Sequence, residues 1–142
     1  MAIDRILYST RADASSGPAP RVAVADGGFE LALSTPRELG GAGGAGTNPE
    51  QLFAAGYAAC FLGALRYVAG RRHIGLPDAT TVEAEAGIGA ITAGFGLQAA
   101  LTVSAPGLAG DVLHALVEQA HQICPFSNAT RGNIDVRLSI AA

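Results

Sequence analysis

A long apolar segment, residues 48–70, constrains the fold more than any other part of the chain. It begins with Asn48, whose side-chain oxygen can cap a helix, and with Pro49, which fits the first helical position because its missing N–H is not needed there. Gly70 supplies a stop signal at the other end. Arg66 is the only charged residue between positions 52 and 69. The segment therefore predicts a long helix that is buried in an interior or in an interface.

Length and composition favour one soluble domain. The chain has 142 residues, of which 49% are apolar and 15% charged, and its net charge is −3. This length is enough for one domain with a real core, which we place at residues 1–142. The largest basic cluster is Arg71-Arg72-His73, so nucleic acid is not an expected partner. The polar N-terminus and the interruption at Arg66 predict a cytoplasmic protein without a signal peptide or a membrane span.

Alternating apolar and polar residues predict strands on both sides of the long helix. The second helix is predicted at about residues 111–123, where apolar side chains recur at helical spacing. The predicted strands are Ile6–Ala12, Arg21–Ala25, Phe29–Leu33, Val82–Ile88, Phe95–Val103 and Ile134–Ile140. The first three form a meander with a hairpin turn at residues 26–28. The order βββ-α-ββ-α-β predicts an α+β domain.

A glycine-rich loop, residues 40–46, precedes the long helix. Glycine before a helix N-terminus can bind phosphate. This loop lacks the Lys-Ser/Thr of a P-loop, and it does not match G-x-G-x-x-G after a clear strand. We expect a flexible loop that packs close to other backbone.

The two cysteines are the candidates for chemistry. Cys60 lies near the middle of the long helix, and Cys124 is expected at or just past the end of the second helix because Pro125 cannot continue it. In a cytoplasmic protein such cysteines are more often free, catalytic or metal-binding than bridged. Burial raises the pKa of a thiol, so a reactive Cys60 would need a cation beside it, such as an arginine held by a carboxylate.

The residues alone leave other site types open. A cysteine hydrolase would pair Cys60 with a histidine, although His73, His114 and His121 fall in polar or turn contexts. A metal site could use His121 and Cys124, but further ligands are not evident, so no metal is expected. A binding or structural protein with two inert thiols is the third alternative.

Longer motifs around both cysteines resemble a known family. Residues 48–61 (NPEQLFAAGYAACF) and 124–136 (CPFSNATRGNIDV) resemble the two cysteine motifs of the Ohr subgroup of the OsmC/Ohr family, the organic hydroperoxide resistance proteins. Residues 33–41 and 94–97 are also similar to that subgroup. The resemblance covers nearly the whole chain.

The resemblance implies a bacterial thiol peroxidase of the oxidative stress response, which reduces alkyl and fatty-acid hydroperoxides to alcohols. It implies an intertwined homodimer with two sites at the interface. Cys60 would be the peroxidatic cysteine, Cys124 the resolving cysteine that forms a disulfide with it, and Glu50 the carboxylate of the site. The implied reductant is an external dihydrolipoyl group on a lipoylated protein, with no bound cofactor.

One position departs from the family pattern. The family has an activating arginine shortly after the first strand, and the ungapped count places Pro18 there. Arg21 is the nearest arginine and the candidate for that role. The alternatives for such a chain are an OsmC-type peroxidase and a weakly active lipid-binding relative.

Two further expectations concern the surroundings of Cys60. Phe53, Tyr57, Phe61 and Phe126 flank the cysteine motifs and predict an apolar substrate pocket. Glu50 lies ten residues before Cys60, which corresponds to about 15 Å of helix rise. Unless the helix breaks, a shared site needs Glu50 from a partner chain. The sequence therefore predicts a two-fold dimer in which Cys60 of one chain faces Glu50 of the other, with Arg21 or another arginine bridging them.

Overall fold

The computed structural model describes residues 1–141 as an α+β chain. The chain forms two compact units, Met1–Pro49 and Glu50–Ala142. The predicted order βββ-α-ββ-α-β is confirmed, with one additional short helix after the second. The single-domain organisation stays a prediction, and the two units are described separately below.

The first unit is built on a small antiparallel sheet of three strands in meander order. The strands are β1 (Ala12–Ser15), β2 (Arg21–Val24) and β3 (Glu30–Ala32). Asp26 and Gly27 have positive φ angles of 63° and 75° in the turn between β2 and β3. A glycine adopts this conformation without steric cost, which explains the turn at the predicted position.

The predicted first strand at Ile6–Ala12 is wrong. Strand pairing starts only at Ala12, opposite Val24, and residues 6–11 lie outside any strand. Ile6, Leu7 and Tyr8 are 65%, 84% and 80% exposed. A strand needs hydrogen-bonded neighbours along its length. The Arg11 carbonyl oxygen accepts from the Ala25 N–H at 2.8 Å, but in the described part of the chain residues 6–10 are not paired with any strand.

The glycine-rich loop packs against the segment before it. A 3₁₀ turn at Arg37–Leu39 starts the loop, and Leu33 pairs with Thr47 where the chain returns. A Cβ atom at Gly41 would collide with the carbonyl of Thr35, and one at Gly46 would collide with Ser34. The close backbone packing expected for the loop is confirmed.

Helix α1 (Pro49–Arg71) is an unbroken helix of 23 residues, and from Glu50 onward it belongs to the second unit. Its start matches the predicted position, and it ends one residue past Gly70. One face is buried, through side chains that recur at helical spacing: Tyr57, Phe61, Ala64, Leu65, Val68 and Ala69. The other face stays open in the single chain, as the 60% exposure of Tyr67 shows.

Among the described helices, α1 is the one that could span a membrane by length and composition. Of the most apolar 18-residue stretch of this helix, 33% is buried inside the protein. The core helices of soluble proteins can have the same length and apolar composition.

A second sheet and two more helices complete this unit. The strands β4 (Thr81–Ile91) and β5 (Gly94–Ser104) form a long antiparallel hairpin, and β6 (Val136–Ile140) pairs with β5 in parallel. Helix α2 is Gly110–Ile123, and the short helix α3 is Pro125–Thr130. The buried residues of α1, β5 and α2 form one hydrophobic core, which also contains Cys124. This core fixes α1 and the α2–α3 junction, the two places that carry the cysteines.

Candidate active site

The structure brings the two cysteines together. Cys60 and Cys124 are both free, and their Sγ atoms are 3.5 Å apart. Cys124 is fully buried and Cys60 is half-buried. A disulfide needs a separation of about 2.05 Å, so a shift of about 1.5 Å would join them. The pair is poised for oxidation in a way that two unrelated core cysteines are not.

Each cysteine is placed by a different local feature. Phe53, Tyr57 and Cys60 follow one another at helical spacing on the same stripe of α1. Cys124 has extended backbone angles, φ −63° and ψ 121°, and links the end of α2 to the start of α3. Pro125 enforces this break because it cannot continue α2 but fits the first position of a new helix. The predicted position of Cys124 is confirmed.

Helix α3 itself was not predicted. Pro125 is a stop signal for α2, but a proline is also typical of the first position of a helix. A proline at the first position of a helix is therefore the sequence signal that predicts α3.

Burial raises the pKa of the Cys60 thiol above its ordinary value. The backbone N–H of Phe126 donates to the Cys60 sulfur and opposes this rise, while the neighbouring Cys124 adds to it. The net direction is upward, so Cys60 is mainly a thiol at neutral pH in the single chain. A nucleophilic Cys60 therefore needs additional positive charge beside it.

Three of the four predicted pocket residues form an aromatic cluster beside the cysteines. The ring centroids of Phe53 and Tyr57 are 6.0 Å apart, and the ring of Phe126 lies 6.4 Å and 5.8 Å from them. Gly56 makes room for this approach, since a Cβ atom there would lie 3.1 Å from the Phe126 ring. The fourth residue, Phe61, is fully buried in the hydrophobic core, as Tyr57 also is.

A network of buried polar side chains lies next to the aromatic cluster. The Tyr57 hydroxyl is 2.8 Å from Ser127 Oγ and 3.3 Å from Thr130 Oγ1. Ser127 Oγ is also 2.8 Å from His121 Nδ1, and Arg131 donates to the His121 carbonyl oxygen. This network is not predictable from the sequence, because the burial of Ser127 and Thr130 arises only in the fold. His121, considered there as a ligand with Cys124 or a partner of Cys60, bonds Ser127.

Protonation of His121 should destabilise the fold. Burial lowers the pKa of His121 below its ordinary value of 6.5, and Arg131 adds to this effect. Between the two pKa values the unfolded chain binds more protons than the folded chain, so stability rises with pH through this window and is lost as the pH falls below about 6.5. Urea unfolding at a series of pH values should show this loss.

Matched variants isolate the contribution of His121 to this pH dependence. His121→Asn should weaken it, because asparagine does not titrate, whereas His114→Asn on the exposed side of the same helix should retain the wild-type dependence. An identical pH dependence in His121→Asn and wild type would contradict the assignment.

Glu50 and Arg21 belong to different units, and each is described within its own unit. Glu50 is half-buried in the first turn of α1, and because the helix is unbroken, about 15 Å of rise separates it from Cys60. Arg21 forms an ion pair with Glu30 of the same sheet, with 2.6 Å between Nε and Oε1. Both side chains are about half exposed, and such surface pairs contribute only about 0–1 kcal/mol. Arg21 can therefore change partner at little cost.

Known proteins show strong similarity over almost the full length. A family model described as OsmC-like protein matches residues 41–139. The organic hydroperoxide resistance protein of Xanthomonas axonopodis pv. citri is 51% identical over 138 residues, 97% of each chain.

Solved structures agree with the sequence matches. The structure of an organic hydroperoxide resistance protein from Legionella pneumophila superimposes with a TM-score of 0.89 at 47% identity, covering 97% of this chain and 100% of that one. The protein OhrB of Bacillus subtilis gives a TM-score of 0.85 at 38% identity, with coverages of 96% and 100%.

Proposed function

This chain belongs to the Ohr subgroup of the OsmC/Ohr family, and from that premise we propose that it is a thiol-dependent peroxidase that reduces organic hydroperoxides to alcohols. The observation that carries the proposal is the 3.5 Å separation of the Cys60 and Cys124 sulfur atoms. Relatives at 37–51% identity are named organic hydroperoxide resistance proteins, which supports the substrate class. We propose that the protein is soluble and cytoplasmic and that nucleic acid is not one of its partners.

The proposed reaction has two steps on the protein. The Cys60 thiolate attacks one oxygen of the hydroperoxide, so that an S–O bond forms, the O–O bond breaks, and the alcohol leaves after taking up a proton. Cys60 is then a sulfenic acid. The Cys124 sulfur attacks the Cys60 sulfur, which forms the disulfide and releases water. A fully buried Cys124 at 3.5 Å is well placed to reach the sulfenic acid before a second peroxide does.

The proposed reductant is a dihydrolipoyl group on a lipoylated protein, and no cofactor is bound. Its two thiols would exchange with the Cys60–Cys124 disulfide, so that two electrons return the cysteines to thiols and the donor becomes a cyclic disulfide. The half-buried Cys60 is the sulfur that a donor can reach, because Cys124 is fully buried.

The active unit is proposed to be a two-fold homodimer. The open apolar face of α1 and the exposed apolar residues 6–8 supply surface for a second copy. The unbroken α1 leaves a partner chain as the route by which Glu50 can join the Cys60 site. Arg21 is the proposed bridging cation, since Pro18 has no charge at the position where the family has its arginine.

A weakly active, lipid-binding relative is the second candidate. The raised Cys60 pKa and the proline at the arginine position favour it. An assay that counts hydroperoxide loss and thiols together separates the two. A peroxidase consumes many equivalents when dihydrolipoamide is supplied and one thiol pair per hydroperoxide when it is not. A binding protein would leave both the hydroperoxide and the thiols unchanged.

Catalytic efficiency should rise with the chain length of the hydroperoxide. Each CH₂ group that enters the apolar cluster of Phe53, Tyr57 and Phe126 contributes at most about 0.8 kcal/mol, which corresponds to a gain of about fourfold in kcat/KM until the pocket is full. Steady-state rates for a series of alkyl hydroperoxides test this. Equal kcat/KM for hydrogen peroxide and a fatty-acid hydroperoxide would contradict it.

A further inference from the structure

Buried hydrogen bonds join the segments that carry the two cysteines. Tyr57 and Ser127 are both fully buried, and the 2.8 Å contact between their hydroxyls links α1 to α3. The second 2.8 Å contact of Ser127, with His121 Nδ1, links α3 to the last turn of α2. Ser127 is thus the point at which three helices are connected by side-chain hydrogen bonds.

The spacing of these residues matches the spacing of the cysteines. Tyr57 lies three residues before Cys60 on α1, and Ser127 lies three residues after Cys124 at the start of α3. Three residues are about one helical turn. The Tyr57–Ser127 contact and the Cys60–Cys124 contact therefore join the same two segments, about one helical turn apart.

Helix α3 depends on contacts of this kind. It has six residues, too few for a helix to be stable by itself in water. Its position decides where Cys124 lies and where the Phe126 N–H points, and both groups interact with the Cys60 sulfur. A contact that fixes α3 thereby fixes the geometry of the cysteine pair.

The donors and acceptors of the network can all be used at once. With His121 Nδ1 as donor, Ser127 accepts from His121 and donates to Tyr57. Tyr57 then donates to Thr130, whose hydroxyl donates to the Ser127 carbonyl oxygen at 3.2 Å. Removing one hydroxyl leaves buried partners unsatisfied, which costs more than the bond itself contributes.

We propose that Ser127, held between Tyr57 and His121, is a positioning residue that keeps α3 and Cys124 in register with Cys60 for disulfide formation. Its consequence for turnover rests on the proposed peroxidase function. Its effect on the cysteine pair does not, because any thiol oxidant would reveal it.

The test measures how readily the two cysteines bridge. Wild type, Ser127→Ala and Tyr57→Phe are equilibrated in mixtures of oxidised and reduced glutathione, and the bridged fraction is counted by alkylation and mass spectrometry. Oxidised glutathione takes the two electrons of the Cys60 and Cys124 thiols and is released as two reduced molecules, so the equilibrium constant is the effective concentration of one thiol at the other. We expect this constant to fall about tenfold in Ser127→Ala and in Tyr57→Phe, the factor that corresponds to one buried hydrogen bond.

Thr80→Val is the matched control. The Thr80 hydroxyl is buried and has no hydrogen-bond partner among the described residues, so its removal should leave the glutathione equilibrium at the wild-type value. A second readout is the ultraviolet absorbance of the thiolate during a pH titration. The Cys60 titration should move to higher pH in Ser127→Ala, because the Phe126 N–H is no longer held against the sulfur.

Wild-type bridging in both network variants would overturn the proposal, as would an equal loss in Thr80→Val. If Ser127→Ala does not fold, the bridged fraction of Tyr57→Phe alone tests the proposal, because this variant keeps the ring and removes one oxygen atom. Hydroperoxide consumption is measured separately. A protein without peroxidase activity can still show the tenfold loss, and an active peroxidase can still fail to show it, so the two proposals are distinguishable.

Discussion

Replacement of Cys60 by serine should abolish hydroperoxide consumption, whereas replacement of Cys124 should leave about one turnover per chain. A serine hydroxyl cannot form the sulfenic acid, so Cys60→Ser has no first step. Cys124→Ser keeps the first step but lacks the sulfur that lies 3.5 Å from Cys60. Its sulfenic acid then meets further peroxide and is oxidised to the irreversible sulfinic and sulfonic acids.

Intact-protein mass spectrometry after stepwise addition of an alkyl hydroperoxide separates these outcomes. Wild type should lose two hydrogen atoms as the disulfide forms, Cys124→Ser should gain two or three oxygen atoms, and Cys60→Ser should not change. Sustained turnover by Cys60→Ser with dihydrolipoamide as the donor would contradict the assignment of Cys60.

The sequence predicted the regular elements of the second unit well because local signals and core packing agree there. Asn48-Pro49 marks the start of α1, and the apolar spacing of residues 112–123 marks α2. The first strand was predicted too early in the chain for the opposite reason. Ile6, Leu7 and Tyr8 carry a strand pattern, but whether a segment pairs depends on a neighbour that its own residues do not specify.

The site shows the same division between local and tertiary information. Cys60, Cys124 and the aromatic residues stand inside motifs that can be read from the sequence. Ser127 and Thr130 lie in the second of these motifs, but the burial of their hydroxyls cannot be read from it, because serine and threonine are ordinary surface residues until a fold encloses them. The pairing of Arg21 with Glu30 also arises from the register of β2 and β3, which places the two side chains on adjacent strands.

Glu50→Gln should lower kcat/KM about a hundredfold, the scale of a misplaced group in a positioned site, with little effect on stability. The glutamine keeps the size of the side chain and one acceptor oxygen, but it replaces the other oxygen by an NH₂ donor and removes the charge that would hold an arginine beside Cys60. Glu50→Asp serves as the conservative control and should recover part of the activity. Wild-type kcat/KM in Glu50→Gln would leave Glu50 with only a first-turn helix role.

Mixing of variant subunits shows which chain supplies Glu50. Cys60→Ser and Glu50→Gln chains are each inactive or nearly so, and they are unfolded together and refolded at equal concentration. Random pairing makes about half of the dimers mixed. If Glu50 acts across the interface, one of the two sites in each mixed dimer combines the intact Cys60 of one chain with the intact Glu50 of the other. Half of the dimers are mixed, and one of the two sites in each mixed dimer is complete. Activity should then recover to about a quarter of the wild-type value.

If Glu50 acted within its own chain, every site of a mixed dimer would lack one of the two residues, and mixing would recover nothing. The unbroken helix between Glu50 and Cys60, with its rise of about 15 Å, favours recovery. A control mixture of Cys60→Ser with Cys60→Ser,Glu50→Gln chains should stay inactive, because no site in it contains a thiol at position 60. The absence of recovery in the first mixture, with mixed dimers shown by mass spectrometry, would exclude the shared site.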